Sequence, residues 1–169
     1  MATGLDGTDL RIIKALQENC KVTNIQLSNE VGLSPAPTLE RVKKLESSGY
    51  IRSYHAMVDS EKIGLGLTAL IQVALARQMD NVIQSFHQHI MEVDEIVECY
   101  QLTGDFDYML KVIVEDIPAF EQLITEKLSK IEEIGQMQTN VVLSKIKDSP
   151  ILPLDYEGGE EKEEKGKSE

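Results

Sequence analysis

Three cationic side chains, Arg41, Lys43 and Lys44, lie in a short segment that begins at Ser34 and continues with proline. Serine before a helix and proline at its first position are typical of a helix N-terminus, so the cations belong to a helix. Lysine and arginine on an exposed helix contact phosphate oxygens and guanine edges. The unpaired N–H groups at the start of the helix add an anion site beside Ser34. The segment predicts contact with nucleic acid.

The helix has a packing side and an exposed side when its residues are placed at about 100° intervals. The predicted packing residues are Pro35, Thr38, Leu39, Val42 and Leu45. DNA contact is predicted for the exposed and bordering residues, with Thr38 turned partly inward: Ser34, Ala36, Pro37, Thr38, Glu40, Arg41, Lys43 and Lys44.

Two further helices must position this one. A helix over 8–19 has an apolar stripe, which holds Leu10, Ile13, Leu16 and Gln17. The next helix begins after Thr23 and ends at Gly32. Thr23 forms a capping box with Gln26. The short turn at residues 31–34 predicts a helix-turn-helix over about Asn24 to Lys43, which suits entry into a DNA major groove. The alternative is a helical hairpin used for packing or protein contact.

The hydrophobic period changes after residue 66, which predicts a second domain. Residues 50–58 are β-rich and predict a short strand or wing. The apolar spacing then predicts strands over 67–76, 96–103, 108–114 and 137–146, and helices over 81–93 and from Pro118. This βαββαβ order is the ferredoxin-like arrangement, an antiparallel sheet with two helices on one side. Its open side favours a dimer through the sheets.

The predicted fold class is therefore α+β, a winged helix-turn-helix followed by a ferredoxin-like domain. The predicted segments are a DNA-binding domain over 1–59, a linker over 60–66, a ferredoxin-like domain over 67–148 and an acidic, disordered tail over 149–169.

The net charge of −12 at first opposes DNA binding, because phosphate contact needs cations. Its distribution removes the objection. Residues 1–62 hold eight Lys/Arg and eight Asp/Glu and are neutral overall. Residues 63–169 hold nine Lys/Arg and 21 Asp/Glu, a net of 9 − 21 = −12. The acidity lies outside the candidate DNA surface.

Two motifs resemble one known family. They are Asn24-Ile-Gln-Leu-Ser-Asn-Glu-Val-Gly-Leu-Ser-Pro-Ala-Pro-Thr-Leu-Glu-Arg-Val42 and Glu98-Cys-Tyr-Gln-Leu-Thr-Gly-Asp-Phe-Asp-Tyr-Met-Leu-Lys111. The chain resembles the Lrp/AsnC family over about residues 5–147, and its Ser-Pro-x-Pro helix start is similar to the leucine-responsive branch. The resemblance implies a transcription regulator that binds double-stranded DNA, takes a free amino acid as effector, and assembles from homodimers into an octamer.

The turn Thr103-Gly-Asp-Phe-Asp107 is the second candidate site. Asp and Gly in a turn can serve geometry alone. In the family that the chain resembles, this loop borders a cleft between dimers where an amino acid binds. Asp105 or Asp107 would pair with the ammonium group, and backbone N–H groups would hold the carboxylate. The implied effector residues are Leu102, Thr103, Gly104, Asp105, Phe106, Asp107, Met137 and Thr139. Leucine, methionine or a similar amino acid is expected.

Other features predict no chemistry. Cys20 and Cys99 are solitary, and His87 and His89 lie about 200° apart on a helix, so no disulfide, metal site or cofactor is predicted. No nucleophile or metal set accompanies the aspartates, so we predict no enzyme. The chain lacks a signal peptide and a membrane-length apolar run, so we expect no membrane partner and a cytoplasmic, nucleoid-associated location in a bacterium or archaeon.

Two alternative functions stay open. One is an architectural DNA-binding protein that ignores small ligands. The other is a ferredoxin-like protein that binds or converts a small molecule and uses its helical head to bind another protein.

Overall fold

The computed structural model describes residues 4–77 and 79–154, which fall into two units. The first holds residues 4–56 together with 147–154, and the second is Met57–Ile146. We call residues 4–56 the helical head and Met57–Ile146 the sheet unit. In the described part of the chain, no helix has the length and apolarity needed to cross a bilayer. From residue 155 onward, the predicted acidic tail lies outside the described residues.

The helical head consists of α1 (Gly7–Glu18), α2 (Asn24–Val31) and α3 (Pro35–Ser47). Helix α2 begins with the predicted capping box of Thr23 and Gln26, and it ends at Gly32 with a φ of 73°. That positive φ is accessible to glycine at little cost, and it allows the chain to turn at once into α3. The predicted helix-turn-helix is therefore present.

Buried aliphatic side chains hold the three helices together. They are Ile12, Ala15, Leu27, Val31 and Leu45. The sequence placed the α1 stripe at Leu10, Ile13 and Leu16, but the fully buried positions are Ile12 and Ala15, because α1 is rotated by about one residue toward its neighbours.

Some predicted packing residues of the head are exposed. The apolar Ile25 of α2 is 64% exposed. On α3, Leu39 is 42% exposed and Pro35 is also exposed. Helical spacing gives the angle between side chains, whereas the neighbouring helices decide which part of an apolar stripe they cover.

The predicted strand over 50–58 is wrong. These residues are all described, and none of them belongs to a strand. Tyr50, Tyr54, Met57 and Val58 are largely exposed. A strand needs a partner to accept its backbone hydrogen bonds, so β-favouring side chains alone leave this segment without ladder bonds. A short 3₁₀ turn, Glu61–Ile63, follows it.

The sheet unit has the predicted βαββαβ order. Its elements are β1 (Leu67–Leu75), α4 (Asp80–Met91), β2 (Ile96–Gln101), β3 (Tyr108–Val114), α5 (Ile117–Gln122) and β4 (Ile134–Val141). Helix α5 continues through a π turn, Leu123–Lys127, and a 3₁₀ turn, Leu128–Lys130. The strands lie in the order β2-β3-β1-β4 and all pairs are antiparallel. The α+β, ferredoxin-like fold is confirmed.

Alternate residues of the two central strands enter the core under the helices. Strand β3 matches the predicted bounds, and Tyr108, Leu110, Val112 and Val114 are buried as its alternation predicted. From the helical side, buried residues complete the core: Phe86, Ile90, Val93, Leu123, Leu128 and Ile131. The opposite side of the sheet is not covered by any described helix of this unit.

Strand β4 begins and ends earlier than the predicted 137–146. It pairs with β1 from Leu75↔Ile134 to Ala69↔Val141, with a bulge next to Leu75. The pairing ends because β1 itself begins at Leu67, and Leu143 is 97% exposed beyond it. One residue after the start of β4, at Gly135, the two strands approach too closely for a side chain.

We expect Gly135→Ala to lower the free energy of unfolding of the sheet unit by about 1–3 kcal/mol, as overpacking does. A Cβ here would lie 2.9 Å from the Ala76 Cα and 3.0 Å from the Ala76 N, neither of which can rotate away. Urea denaturation measures the loss. Gly7→Ala is the control, because no atom lies within 4 Å of its added Cβ. Equal stability of the two variants would contradict the close approach.

Candidate functional sites

The solvent-facing side of α3 carries most of the predicted DNA-contact residues. The exposed members are Ser34, Ala36, Pro37, Glu40, Lys43 and Lys44. The Lys43 Nζ lies 3.3 Å from a Glu40 carboxylate oxygen, and both groups are largely in solvent. An exposed pair of this kind is weak, so Lys43 can exchange its partner for a phosphate.

Thr38, which was predicted to turn partly inward, is fully inward. It is 0% exposed, and its Oγ1 donates a hydrogen bond to the Ser34 carbonyl oxygen at 3.0 Å. The hydroxyl therefore stabilises the first turn of α3 and does not reach the surface from which bases would be read.

Arg41 holds α3 against α1. Its Nη1 lies 2.7 Å from a carboxylate oxygen of Asp6 and 2.7 Å from one of Asp9. Asp6 is the N-cap of α1 and forms a capping box with Asp9, which is only 6% exposed. Because both carboxylates already cap a helix, the guanidinium joins the two helices at a fixed point. In this arrangement the charge of Arg41 pairs with carboxylates of the head itself.

The pKa directions agree with this pairing. Burial alone would raise the pKa of Asp6, but the Asp9 backbone N–H and the Arg41 guanidinium together lower it below its ordinary value of 3.8. Hydrogen bonds to Asp6 and Asp9 raise the pKa of Arg41. Sequence reasoning missed both aspartates as partners of Arg41. Their three-residue spacing is that of a capping box, but nothing in the sequence places α3 beside it.

The predicted effector loop is fixed at both ends to the sheet. The Leu102 N–H donates to the Asp107 carbonyl oxygen at 2.8 Å, and the Asp107 N–H donates to the Val73 carbonyl oxygen at 2.9 Å. The Asp107 side chain accepts the Leu75 N–H at 2.8 Å. Asp107 is thus part of the sheet's hydrogen bonding, whereas Asp105 is exposed at the tip of the loop.

The strand register brings the rest of the predicted effector residues to the same end of the sheet. Val73 pairs with Tyr108 on one side and Met137 on the other, and Ile71 pairs in the same way with Leu110 and Thr139. With strands about 4.8 Å apart, the loop before β3 and Met137 on β4 lie about 10 Å from each other. Residues distant in sequence are therefore neighbours around Val73.

An aromatic contact beside this loop was not predicted. Tyr108 is buried, and its hydroxyl lies 3.0 Å from His87 Nε2 on α4. Burial raises the pKa of Tyr108 above its ordinary value. The Phe86 ring packs on Tyr108 with a centroid distance of 4.7 Å. This contact ties the first residue after the loop to α4.

The histidines serve as hydrogen-bonding groups on α4. His89 Nδ1 lies 3.2 Å from a Glu133 carboxylate oxygen, while His87 contacts Tyr108. Within the described residues, no group of three or more His, Cys, Asp or Glu side chains has an arrangement that could hold a metal ion.

Known families match both units. A model of the Lrp/AsnC ligand binding domain matches residues 68–152, and a model of winged helix-turn-helix DNA-binding domains matches residues 5–52. The leucine-responsive regulatory protein of Haemophilus influenzae is 38% identical over 150 residues, which cover 89% of this chain and 90% of that protein. The protein of the same name from Escherichia coli K12 is 36% identical, and the match covers 89% of this chain and 92% of that protein.

A solved structure has the same fold. A transcriptional regulator from Neisseria meningitidis, crystallised as its complex with L-Met, matches with a TM-score of 0.86 and 37% identity, over 90% of this chain and 98% of that one. An AsnC family transcriptional regulator from Agrobacterium tumefaciens matches with a TM-score of 0.85 and 33% identity, over 90% of this chain and 99% of that one.

A helix-turn-helix head joined to a four-stranded ligand-binding unit defines a class of DNA-binding transcription regulators. The chain belongs to the Lrp/AsnC family of these regulators. Its relatives carry the names of regulators and not of enzymes, so the prediction that it is not an enzyme is confirmed on that ground.

Arg41→Ala is expected to destabilise the helical head by about 1–2 kcal/mol, because it leaves the nearly buried Asp9 carboxylate without its cation while the exposed part of the pair contributes little. Hydrogen–deuterium exchange of α1 and α3 measures the change. Lys43→Ala, which removes an exposed pair on the same helix, is the control and should change exchange little. Equal protection in both variants would contradict the role of Arg41.

The same pair gives the head a pH dependence. Since the folded pKa of Asp6 is depressed, its stabilising contribution is present above the unfolded value and is lost as pH falls through the folded pKa. Acidification from about pH 5 to pH 3 should therefore lower the stability of the unaltered head more than it lowers the stability of the Arg41→Ala variant.

Proposed function

We propose that the protein is a sequence-specific DNA-binding regulator whose DNA binding or assembly responds to a free amino acid such as methionine or leucine. The observation that carries the DNA part is the orientation of α3, which Arg41 fixes with the Lys43 and Lys44 side outward. The proposed target is double-stranded DNA, and the proposed location is the cytoplasm of a bacterium or archaeon.

The first turn of α3 is the proposed reader of bases. Ser34, Ala36 and Pro37 are small and exposed, so the backbone can approach base edges closely. Glu40 can accept from a cytosine amino group, and Lys43 and Lys44 would contact phosphates. Thr38 and Arg41 support this surface from inside the head and are proposed to position it.

The loop at residues 102–107 is the proposed amino-acid site. Asp105 is the preferred partner for the ammonium group because Asp107 already accepts the Leu75 N–H. Loop N–H groups would hold the carboxylate, with Thr103, Gly104 and Thr139 beside it. Leu102, Phe106 and Met137 would offer apolar contact to the side chain. The L-Met complex of the Neisseria meningitidis regulator supports an amino acid of this size.

A homodimer that assembles into an octamer is proposed from the open side of the sheet. Register places Leu70, Met109 and Ile113 on that side, where they are only partly buried within the unit. Partly exposed apolar side chains on a sheet favour a second sheet as cover. Because the helical head has a charge near zero, joining several heads would raise the effective concentration of each weak site.

We expect Lys43→Ala and Lys44→Ala each to weaken binding to a genomic DNA fragment and to reduce the slope of log K against log salt by about 1, as loss of one phosphate contact does. Fluorescence anisotropy over a salt series measures both quantities. Lys130→Ala, an exposed lysine of the sheet unit, is the control for charge alone. A slope that all three variants lower equally would reject α3 as the contact surface.

Asp105→Asn should abolish the thermal stabilisation by L-methionine or L-leucine and leave DNA affinity without ligand unchanged, because it removes only the ammonium partner. Asp107→Asn is the matched variant and should lower the melting temperature without ligand, because it weakens the bond to Leu75. If no amino acid at millimolar concentration shifts the unaltered protein, the ligand-independent architectural function is favoured.

A further inference from the structure

The open side of the sheet carries two opposite charges side by side. Lys111 on β3 pairs in register with Glu98 on β2, and its Nζ donates a 2.7 Å hydrogen bond to the Glu98 Oε1. The Tyr100 hydroxyl, two residues along β2, donates to the other oxygen of the same carboxylate. These two contacts lower the pKa of Glu98 below its ordinary value of 4.5. The carboxylate is therefore ionised near neutral pH and held beside the lysine.

This ion pair interrupts a surface that is otherwise uncharged. Glu98 and Lys111 are the only charged residues in the four strands, each of which is described throughout. Met109 and Ile113 flank Lys111 along β3 on the same side of the sheet, and Leu70 lies opposite it on β1. The ammonium group thus lies among apolar side chains, near the middle of the open side.

Further apolar side chains near the pair are exposed in the unit by itself. Tyr100 is largely exposed, and Leu143 and Ile146, which follow β4, are almost fully exposed. The charge of Lys145, between those two, also lowers the pKa of Glu98, so this segment lies close to the pair. Single exposed apolar residues are ordinary, whereas several around one open side of a sheet mark a contact surface.

A second copy of the same sheet supplies matching charges. In a two-fold interface, a residue that contacts a different residue of the partner is contacted by it in return. A two-fold axis beside the pair therefore brings the Lys111 ammonium of each copy to the Glu98 carboxylate of the other. An uncharged sheet in the same position would remove water from both groups and return no charge to either, which is unfavourable.

We propose that the Glu98 and Lys111 pair selects a second copy of this chain as the partner of the open side of the sheet. Apolar contact gives affinity with little discrimination between sheets. Four alternating charges at its centre fix the register and reject a sheet that lacks them. The inference rests on the proposed homodimer and adds the residues that decide which chain enters it.

The test exchanges the two charges within the full chain. A variant with Glu98→Lys and Lys111→Glu keeps an ion pair between β2 and β3, so it retains that contact of the fold. Its own homodimer keeps the alternation of charges. In a mixed dimer with the unaltered chain, however, each carboxylate faces a carboxylate and each ammonium faces an ammonium. The matched control exchanges Glu95 and Lys127, a 2.7 Å ion pair outside the four strands.

Tagged unaltered chain and untagged variant are co-expressed, and native mass spectrometry counts the dimers after dilution. We expect homodimers of both chains. Mixed dimers make up about half of the total when chains combine at random, and they should fall below about one tenth for the exchanged variant. The control should stay near the random value.

Two results would overturn the proposal: mixed dimers of the exchanged variant at the random value, or an exchanged variant that stays monomeric. If the unaltered chain itself is monomeric, the proposed homodimer fails. That is a separate result, and it would leave the open side of the sheet to a different protein.

The single changes give a second readout. Glu98→Lys alone and Lys111→Glu alone each place like charges across the axis, so each variant should self-associate at least about 10-fold more weakly. Mixing the two should restore dimers, because every lysine then faces a glutamate. Light scattering measures the masses, and circular dichroism checks that each variant is folded. Two folded variants that do not associate on mixing would contradict the contact between copies.

Discussion

Strand β1 hydrogen-bonds to β3 along one edge and to β4 along the other, and the sheet unit depends on this double pairing. The register sets which residues point to the helices, since a shift by one residue would turn every core side chain of β1 outward. It also brings the loop at 102–107 and the start of β4 together around Val73. The proposed ligand site is a consequence of this register, because its two segments are far apart in sequence.

The helical head depends on a different interaction, the ion pair between Arg41 and the cap of α1. A helix that reads DNA must keep its angle, and three short helices have a small core to fix it. The pair uses one of the few cations of α3 for that purpose. What is left for phosphate is modest, which agrees with the proposal that several linked heads engage DNA together.

Much of the fold followed from local patterns. The capping box at Thr23, the glycine stop at Gly32 and the alternation over β3 each depend on a few consecutive residues, and each appears where predicted. The predictions that were wrong depended on a partner. Residues 50–58 have strand-forming side chains but pair with no strand among the described residues, and β4 ends beside the start of β1. The sequence contains no local signal for either limit.

By itself the sequence determined the class of the protein: a helix-turn-helix, a βαββαβ unit, and two motifs that resemble one family. Backbone periodicity and capping are short-range, so they can be read along the chain. Only the tertiary structure decided that Thr38 faces inward, that Arg41 pairs with Asp6 and Asp9, and that Asp107 closes the sheet while Asp105 faces solvent. Those assignments depend on which groups are brought within about 3 Å of one another, and packing between distant segments alone sets such distances.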